Sequence, residues 1–348
     1  MKIHVVSATL LLVMSGAAHA VNVYQGDTSD LSIFGRLEGG FYNKYANQTR
    51  ENHVRNKAGI NGEARLGVKA TSEIVTNIKG VAFGEWEVSS ASSEDNHFST
   101  RYAYTGFDLC QYGTLVFGQG DTAKYLTTGM TDVFEHYGNT ANDYWLLGGR
   151  QEGQIMYLNA VGGYSFGFSY QTARNGMGSY FNHETGFYQD LDVNGGYAAS
   201  MAYNWNDGLL ESAAFSLSYD FYDMHKSEIG DKHSFSAGIS YGHLNSGLYT
   251  SLVYSRDKFQ YESHHRSGYE GVAGYTMDNG LGVMLGYSYY GYDNHHTDKS
   301  EITSQLSWHF TPAIMLYAEG RFGLGRLDYP VKETRQHNAY MINMQYNF

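Results

Sequence analysis

Alternate positions of the last twelve residues, HNAYMINMQYNF, carry Tyr340, Ile342, Met344, Tyr346 and Phe348, while Asn343, Gln345 and Asn347 fill the positions between. That period of two predicts a β-strand with one apolar and one polar face. Water would leave a row of exposed rings on a fraying terminus, a liability that lipid against the apolar face removes. The same alternation recurs upstream. Tyr164, Phe166, Phe168 and Tyr170 alternate with Ser165, Gly167, Ser169 and Gln171, and Ile302, Leu306, Trp308 and Phe310 with Thr303, Gln305, Ser307 and His309. Strands are predicted near 31–45, 58–69, 75–88, 98–108, 113–119, 150–159, 163–172, 196–205, 211–222, 233–243, 248–258, 268–277, 281–292, 300–310, 314–326 and 337–348. Most approach the about 9–11 residues that a tilted strand needs to cross a bilayer.

Connectors alternate in length. Short ones at Cys110-Gln111-Tyr112, Gly162, Asn206-Asp207-Gly208, Asn245-Ser246, Asp278-Asn279-Gly280 and Thr311-Pro312 are separated by longer polar ones. Tight Asp-Gly and Asn-Gly turns on one side and long loops on the other, with an even strand count, predict an all-β fold: a transmembrane antiparallel β-barrel of sixteen strands. Sixteen strands enclose an aqueous lumen rather than a packed core.

Composition narrows the choice. Mean hydropathy is −0.43 and no apolar run is long enough for a membrane-spanning helix, yet 32 Tyr, 18 Phe and 4 Trp suit the two aromatic girdles of a barrel. Only two prolines occur, as a chain made mostly of pairing strands requires. Cys110 is the single cysteine, so no intrachain disulfide is available and a closed ladder must carry stability. At the N-terminus, Lys2, the apolar run Val5 to Val13 and Ala18-His19-Ala20 predict a cleaved signal peptide over 1–20 and a barrel domain over 21–348. Loss of Lys2 would leave the exported chain more acidic than the −12 of the whole.

Parity gives the charged residues a direction. With Leu31, Ile33 and Leu37 facing lipid, Arg36 and Glu38 point inward; with Ala64, Leu66 and Val68 outward, Glu63, Arg65 and Lys69 point inward. By the same rule Arg101, between Thr100 and Tyr102, and Arg150 face the lumen. On the lipid face each would cost about 2–4 kcal/mol at the midplane. The phase of 268–277 is ambiguous. The longest connector, from Gly120 to Gly148, carries the acids Asp132, Glu135 and Asp143, and a loop of that length is uncommon without a function.

At this point the pieces FGRLEGG, ARLGVKA, FGEWE, TRYAYTGFDLCQYGTLVFGQGD, TDVFEHYGNTAND, GGRQEGQIMYLN and the terminal QYNF resemble, in order and over the whole exported chain, the general trimeric porins of Gram-negative outer membranes. The resemblance implies a homotrimer of sixteen-stranded barrels, each with a long third loop folded into the lumen. It implies a constriction with Arg36, Arg65, Arg101 and Arg150 on the basic side and Asp132 and Glu135 on the acidic side. The implied function is passive diffusion of ions and small hydrophilic solutes, with no cofactor, metal or nucleic-acid partner. Opposed charges of that kind would orient polar solutes. The family's proline-containing loop core is replaced here by Phe134-Glu135-His136-Tyr137-Gly138-Asn139, and His136 reads as a solvated bystander.

The alternatives are a receptor or substrate-specific channel, such as a sugar-selective one, and an enzyme barrel, for which no nucleophile elbow is present. His264-His265 and His295-His296 lack the further ligands a metal site needs. Acidic loops are expected to meet lipopolysaccharide phosphates through divalent cations. Four inward arginines favour anions, whereas Glu38, Glu63, Glu87, Glu152 and the net acidity favour cations, and a weak cation preference is the expectation.

Overall fold

The computed structural model describes residues 20–44, 57–89, 98–142, 149–182, 187–224, 229–293, 297–324, 326–327, 334–335 and 338–348. The barrel is built from β1 (Ser29–Lys44), β2 (Lys57–Val75), β3 (Ile78–Ser89), β4 (Phe98–Asp108), β5 (Thr114–Gly120), β6 (Gln151–Val161), β7 (Tyr164–Gln171) and β8 (Val193–Asn204). It continues through β9 (Ala213–Met224), β10 (Lys232–His243), β11 (Ser246–Phe259), β12 (Arg266–Thr276), β13 (Leu281–Tyr292), β14 (Thr297–Thr311), β15 (Ile314–Gly323) and β16 (Ala339–Asn347). Each strand pairs antiparallel with the next, and β16 returns to β1 from Arg36↔Asn347 to Lys44↔Ala339, closing sixteen strands into one ring. Closure removes the two edges that an open sheet would expose, so the backbone is satisfied by its own ladder.

The final strand stops where the chain stops. Phe348 exchanges both backbone hydrogen bonds with Gly35, at 2.8 and 3.0 Å. Just beyond, a short strand Val21–Gln25 takes up the same line against Asp30–Ile33, so this segment and the last strand share one stave.

Side chains alternate as the sequence pattern requires. Along β7 the outward Tyr164, Phe166, Phe168 and Tyr170 are exposed and the inward Ser165, Gly167, Ser169 and Gln171 are buried. Leu252, Leu306, Trp308, Ile342 and Met344 extend the exposed apolar belt around the outside, while Ser216, Asp220, Ser236 and Ser255 are fully enclosed within. An inside-out distribution of this extent fits hydrocarbon outside and polar contents inside. The phase left open for 268–277 is settled by its burial: Tyr269, Ala273 and Tyr275 face out and Glu270 and Val272 face in.

Several strand ends shift by a few residues, and the boundaries differ most in one region. The sequence placed a connector at 70–74, but β2 runs to Val75 and the hairpin turns at Thr76-Asn77, with Asn77 at φ 66°. Ile74 and Val75 extend the ladder because Asn77 tolerates the left-handed conformation that the tight turn demands. Beyond the ring, Ser179–Asn182 pairs with Phe187–Asp190 as a separate hairpin on the long-loop side.

Candidate functional site

Two arginines of the inner wall stand on neighbouring strands because of register. Arg36 on β1 lies directly opposite Arg65 on β2, and Glu38 opposite Glu63. Residues paired in this way share a face, so four charges from two strands meet inside. Like charges so close need compensation. Arg65 donates from Nε to Glu87 Oε2 at 2.9 Å and its Nη2 lies 2.8 Å from Glu63 Oε1. Arg101 donates from Nε to Glu85 Oε1 at 2.5 Å and from Nη1 to Glu87 Oε2 at 2.7 Å. Arg36 donates from Nη1 to Glu135 Oε2 at 2.8 Å, with Glu38 and Glu63 each 3.7 Å away.

Arg101 reaches this wall by a β-bulge. The register passes from Glu85↔Tyr102 to Trp86↔Thr100 and leaves Arg101 as the extra residue. Strict parity predicts Tyr102 on the outer face; the bulge turns it inward, where its hydroxyl donates to Asp121 Oδ2 at 2.7 Å. The Arg150 guanidinium lies 5.5 Å from the centre of the Tyr102 ring, near enough for a cation–π contact.

The segment 121–142 crosses to the opposite wall. It contains one helical turn, α1 (Tyr125–Thr128), and is held by side chains that parity aims inward. Ser169 Oγ accepts from Ala123 N at 3.0 Å, Lys124 Nζ donates to Ser234 Oγ at 2.6 Å, and Thr127 Oγ1 lies 2.7 Å from Ser216 Oγ. Lys124 is almost wholly enclosed between Asp220 and Asp257, at 3.6 and 3.8 Å. Farther round, Glu270 accepts from Asn142 Nδ2 at 2.7 Å and from Thr131 Oγ1 and Thr140 N at 3.2 Å. Glu319 accepts from three consecutive backbone N–H groups, those of Glu135, His136 and Tyr137. Glycines make the approach possible. A Cβ on Gly268 would stand 1.6 Å from Ala141 O, and one on Gly286 2.7 Å from the Phe134 ring.

The acidic candidates therefore occupy different environments. Asp132 accepts from Tyr125 Oη at 2.9 Å, and burial raises its pKa. Glu135 is joined to Arg36 on the basic wall. Asp143 lies outside the described residues. His136 is no solvated bystander: its Nε2 is 2.5 Å from Glu38 Oε1 and its ring stacks on Tyr317, centroids 6.1 Å apart. Burial alone would lower its pKa, but the hydrogen bond and charge of Glu38 outweigh it and the pKa is raised. Tyr317 Oη also donates to Glu38.

Sequence reasoning brought the four arginines to one wall and missed their partners in part. Glu85 was overlooked, and Glu152 sits apart, exposed and paired with Arg174 at 3.1 Å. Glu270 and Glu319 were invisible as loop acceptors, since nothing in a two-residue period says which distant loop an inward carboxylate will hold. On the long-loop side His264 Nδ1 meets Asp293 Oδ1 at 2.9 Å, while His295 and His296 lie outside the described residues. A cavity of about 1730 Å³ runs from the short turns at Gly162, Asn206 and Asn245 up to Arg36, Arg65, Arg101, Asp132 and Glu135.

Known proteins resemble this chain in sequence and in fold. The chain is 27% identical to porin-like protein L of Photobacterium profundum, over 96% of each chain. It is 28% identical to outer membrane porin N of Escherichia coli, over 78% of this chain and 74% of the relative. Among solved structures, the OmpF of Salmonella typhi in complex with daunomycin superposes with a TM-score of 0.74 at 18% identity, covering 94% of this chain and all of that one. An anion-selective porin from Comamonas acidovorans superposes at 0.66 and 15% identity, covering 92% and 100%. Family and fold point to a channel rather than an enzyme. The pattern of the Gram-negative porin family matches residues 7–326, and the chain belongs to that family as a channel-forming protein of the Gram-negative outer membrane.

Proposed function

We propose that residues 21–348, released from a signal peptide at 1–20, assemble as a homotrimer of open pores through which ions and small hydrophilic solutes diffuse passively. In this reading the segment 121–142 narrows each lumen. Arg36, Arg65, Arg101 and Arg150 line the basic side of the constriction, and Asp132 and Glu135 are carried by the loop. The observation that carries it is the cavity that reaches these charged residues from the short-turn end. A lumen lined by charged and polar groups suits permeation without chemistry, and charged groups at its narrowest level sort solutes by charge and dipole. Lipopolysaccharide would contact the acidic long loops through divalent cations.

Swelling of liposomes that contain the refolded protein, with uncharged sugars of graded size, tests the reading. Uptake that falls continuously with size is expected. Uptake of one sugar alone would replace general diffusion by substrate-specific transport, and no uptake from folded protein would remove the pore.

A further inference from the structure

The wall that the family resemblance paints as basic carries as many carboxylates, Glu38, Glu63, Glu85 and Glu87, as guanidiniums, Arg36, Arg65, Arg101 and Arg150, and the loop adds Glu135. Around Arg36, Arg65 and Arg101 stand Glu38, Glu63, Glu85, Glu87 and Glu135, all within 3.7 Å of one of the three. Glu63 lies between Arg36 and Arg65, and Glu87 bridges Arg65 and Arg101 through the same Oε2. The row is therefore an alternation of signs along neighbouring strands. Around the whole cavity, seven acids face five arginines among the described residues.

An anion entering such a lumen needs guanidinium N–H groups that point at it. Here Arg65 and Arg101 each turn Nε and one Nη toward Glu63, Glu85 and Glu87, so part of each fork is already committed to a carboxylate. A charge-assisted bond of this kind is about twice as strong as a neutral one, and a passing anion in water offers little to displace it. A cation meets the reverse situation, because Glu87 is partly open to the lumen and keeps lone pairs beyond those used by its two arginines. The β-bulge at Arg101 contributes directly, since it swings that guanidinium into reach of both Glu85 and Glu87.

We propose that Glu63, Glu85 and Glu87 are the selectivity-determining residues of the pore and make its arginine wall prefer small inorganic and organic cations over anions. The proposal rests on the open-pore reading above and specifies which groups set the sign of its field.

The test is the reversal potential of single channels in a tenfold KCl gradient, with wild type, Glu87→Gln, Glu85→Gln/Glu87→Gln, Glu87→Asp and, as an opposite-sign control, Arg65→Gln. Folding is checked for each by the heat-dependent shift in electrophoretic mobility that closed barrels give. The wild type is expected to prefer K⁺. Glu87→Gln should lower the K⁺/Cl⁻ permeability ratio about threefold, the effect of one unit charge roughly 10 Å from the ion path acting with opposite sign on the two ions. The double variant should pass Cl⁻ in preference, Glu87→Asp should stay near wild type, and Arg65→Gln should move the ratio toward cations. A wild type that prefers Cl⁻, or glutamine variants that conduct normally with unchanged reversal potential, overturns the assignment. Should Glu87→Gln fail to fold, Glu63→Gln decides by the same criteria. Folded wild type that never conducts would instead overturn the open-pore reading, so the two failures are distinguishable.

Discussion

Replacing Gly268 by alanine adds one carbon where the wall of β12 meets the crossing loop. The new Cβ would stand 1.6 Å from Ala141 O and 2.7 Å from its carbonyl carbon, both backbone atoms with no rotamer to yield. Ordinary carbon contacts lie near 3.5–4.0 Å, so relief demands a separation of about 2 Å. The ladder is fixed by its hydrogen bonds, and the loop is what moves. Two residues along the same strand, Glu270 holds Asn142, Thr140 and Thr131 at 2.7–3.2 Å, and a 2 Å displacement breaks at least the bond from Asn142. Hydrogen bonds to a charged group contribute about 1.5–3 kcal/mol each, and overpacking alone costs about 1–3 kcal/mol, so a local cost of roughly 2.5–6 kcal/mol is expected. That cost should fall on loop docking and leave the barrel's unfolding transition almost unmoved. Single-channel recording reads it directly as an altered conductance level with added current noise. Gly80→Ala, whose Cβ would meet nothing nearer than 3.6 Å, serves as the silent control. Gly268→Ala channels as quiet as wild type and of equal conductance would refute the placement of the loop against β12.

Further predictions concern charge, pH and lipid. Because the His136 pKa is raised above its ordinary value of about 6.5, its bond to Glu38 is fully present below that value and is lost as pH rises through the higher folded value. Loop noise in recordings at graded pH should therefore grow on the alkaline side, and His136→Gln should abolish the step; noise confined to the acid side contradicts the pairing. Neutralising Arg65 and Arg101 together should raise cation preference in reversal-potential measurements, whereas an unchanged value would remove both from the constriction. Leu252→Arg, on the outer face of β11, should destabilise the folded barrel by about 2–4 kcal/mol in reversible denaturation in bilayers, and an unaltered transition would mean that this face does not meet lipid.

Much of the fold was legible because a barrel wall has only two environments and a strand has a period of two. Tyr164 to Gln171 announces its facing residue by residue, and all sixteen expected strands are present, with several ends displaced by a few residues. Legibility ended where one residue is inserted or where partners are remote. The bulge at Arg101 reverses parity within a single strand, and no local signal marks it, so alternation alone would put Tyr102 on the wrong face. Glu270 and Glu319 are separated from the loop groups they hold by well over a hundred residues, a relation set by barrel closure rather than by neighbours in sequence. Glu135 illustrates the same limit: its place on the loop suggested a charge facing the arginines, while the geometry joins it to Arg36 directly. Small inward residues such as Gly268 offered the one usable hint, since a wall needs a gap wherever another backbone lies against it.

The central claim is an open, water-filled pore, and the most direct test is single-channel recording of the refolded exported chain in a planar bilayer. Large, persistent current steps that close in groups of three under voltage are the predicted result. Membranes that stay silent, although the added protein shows the mobility shift of a closed barrel, would contradict it.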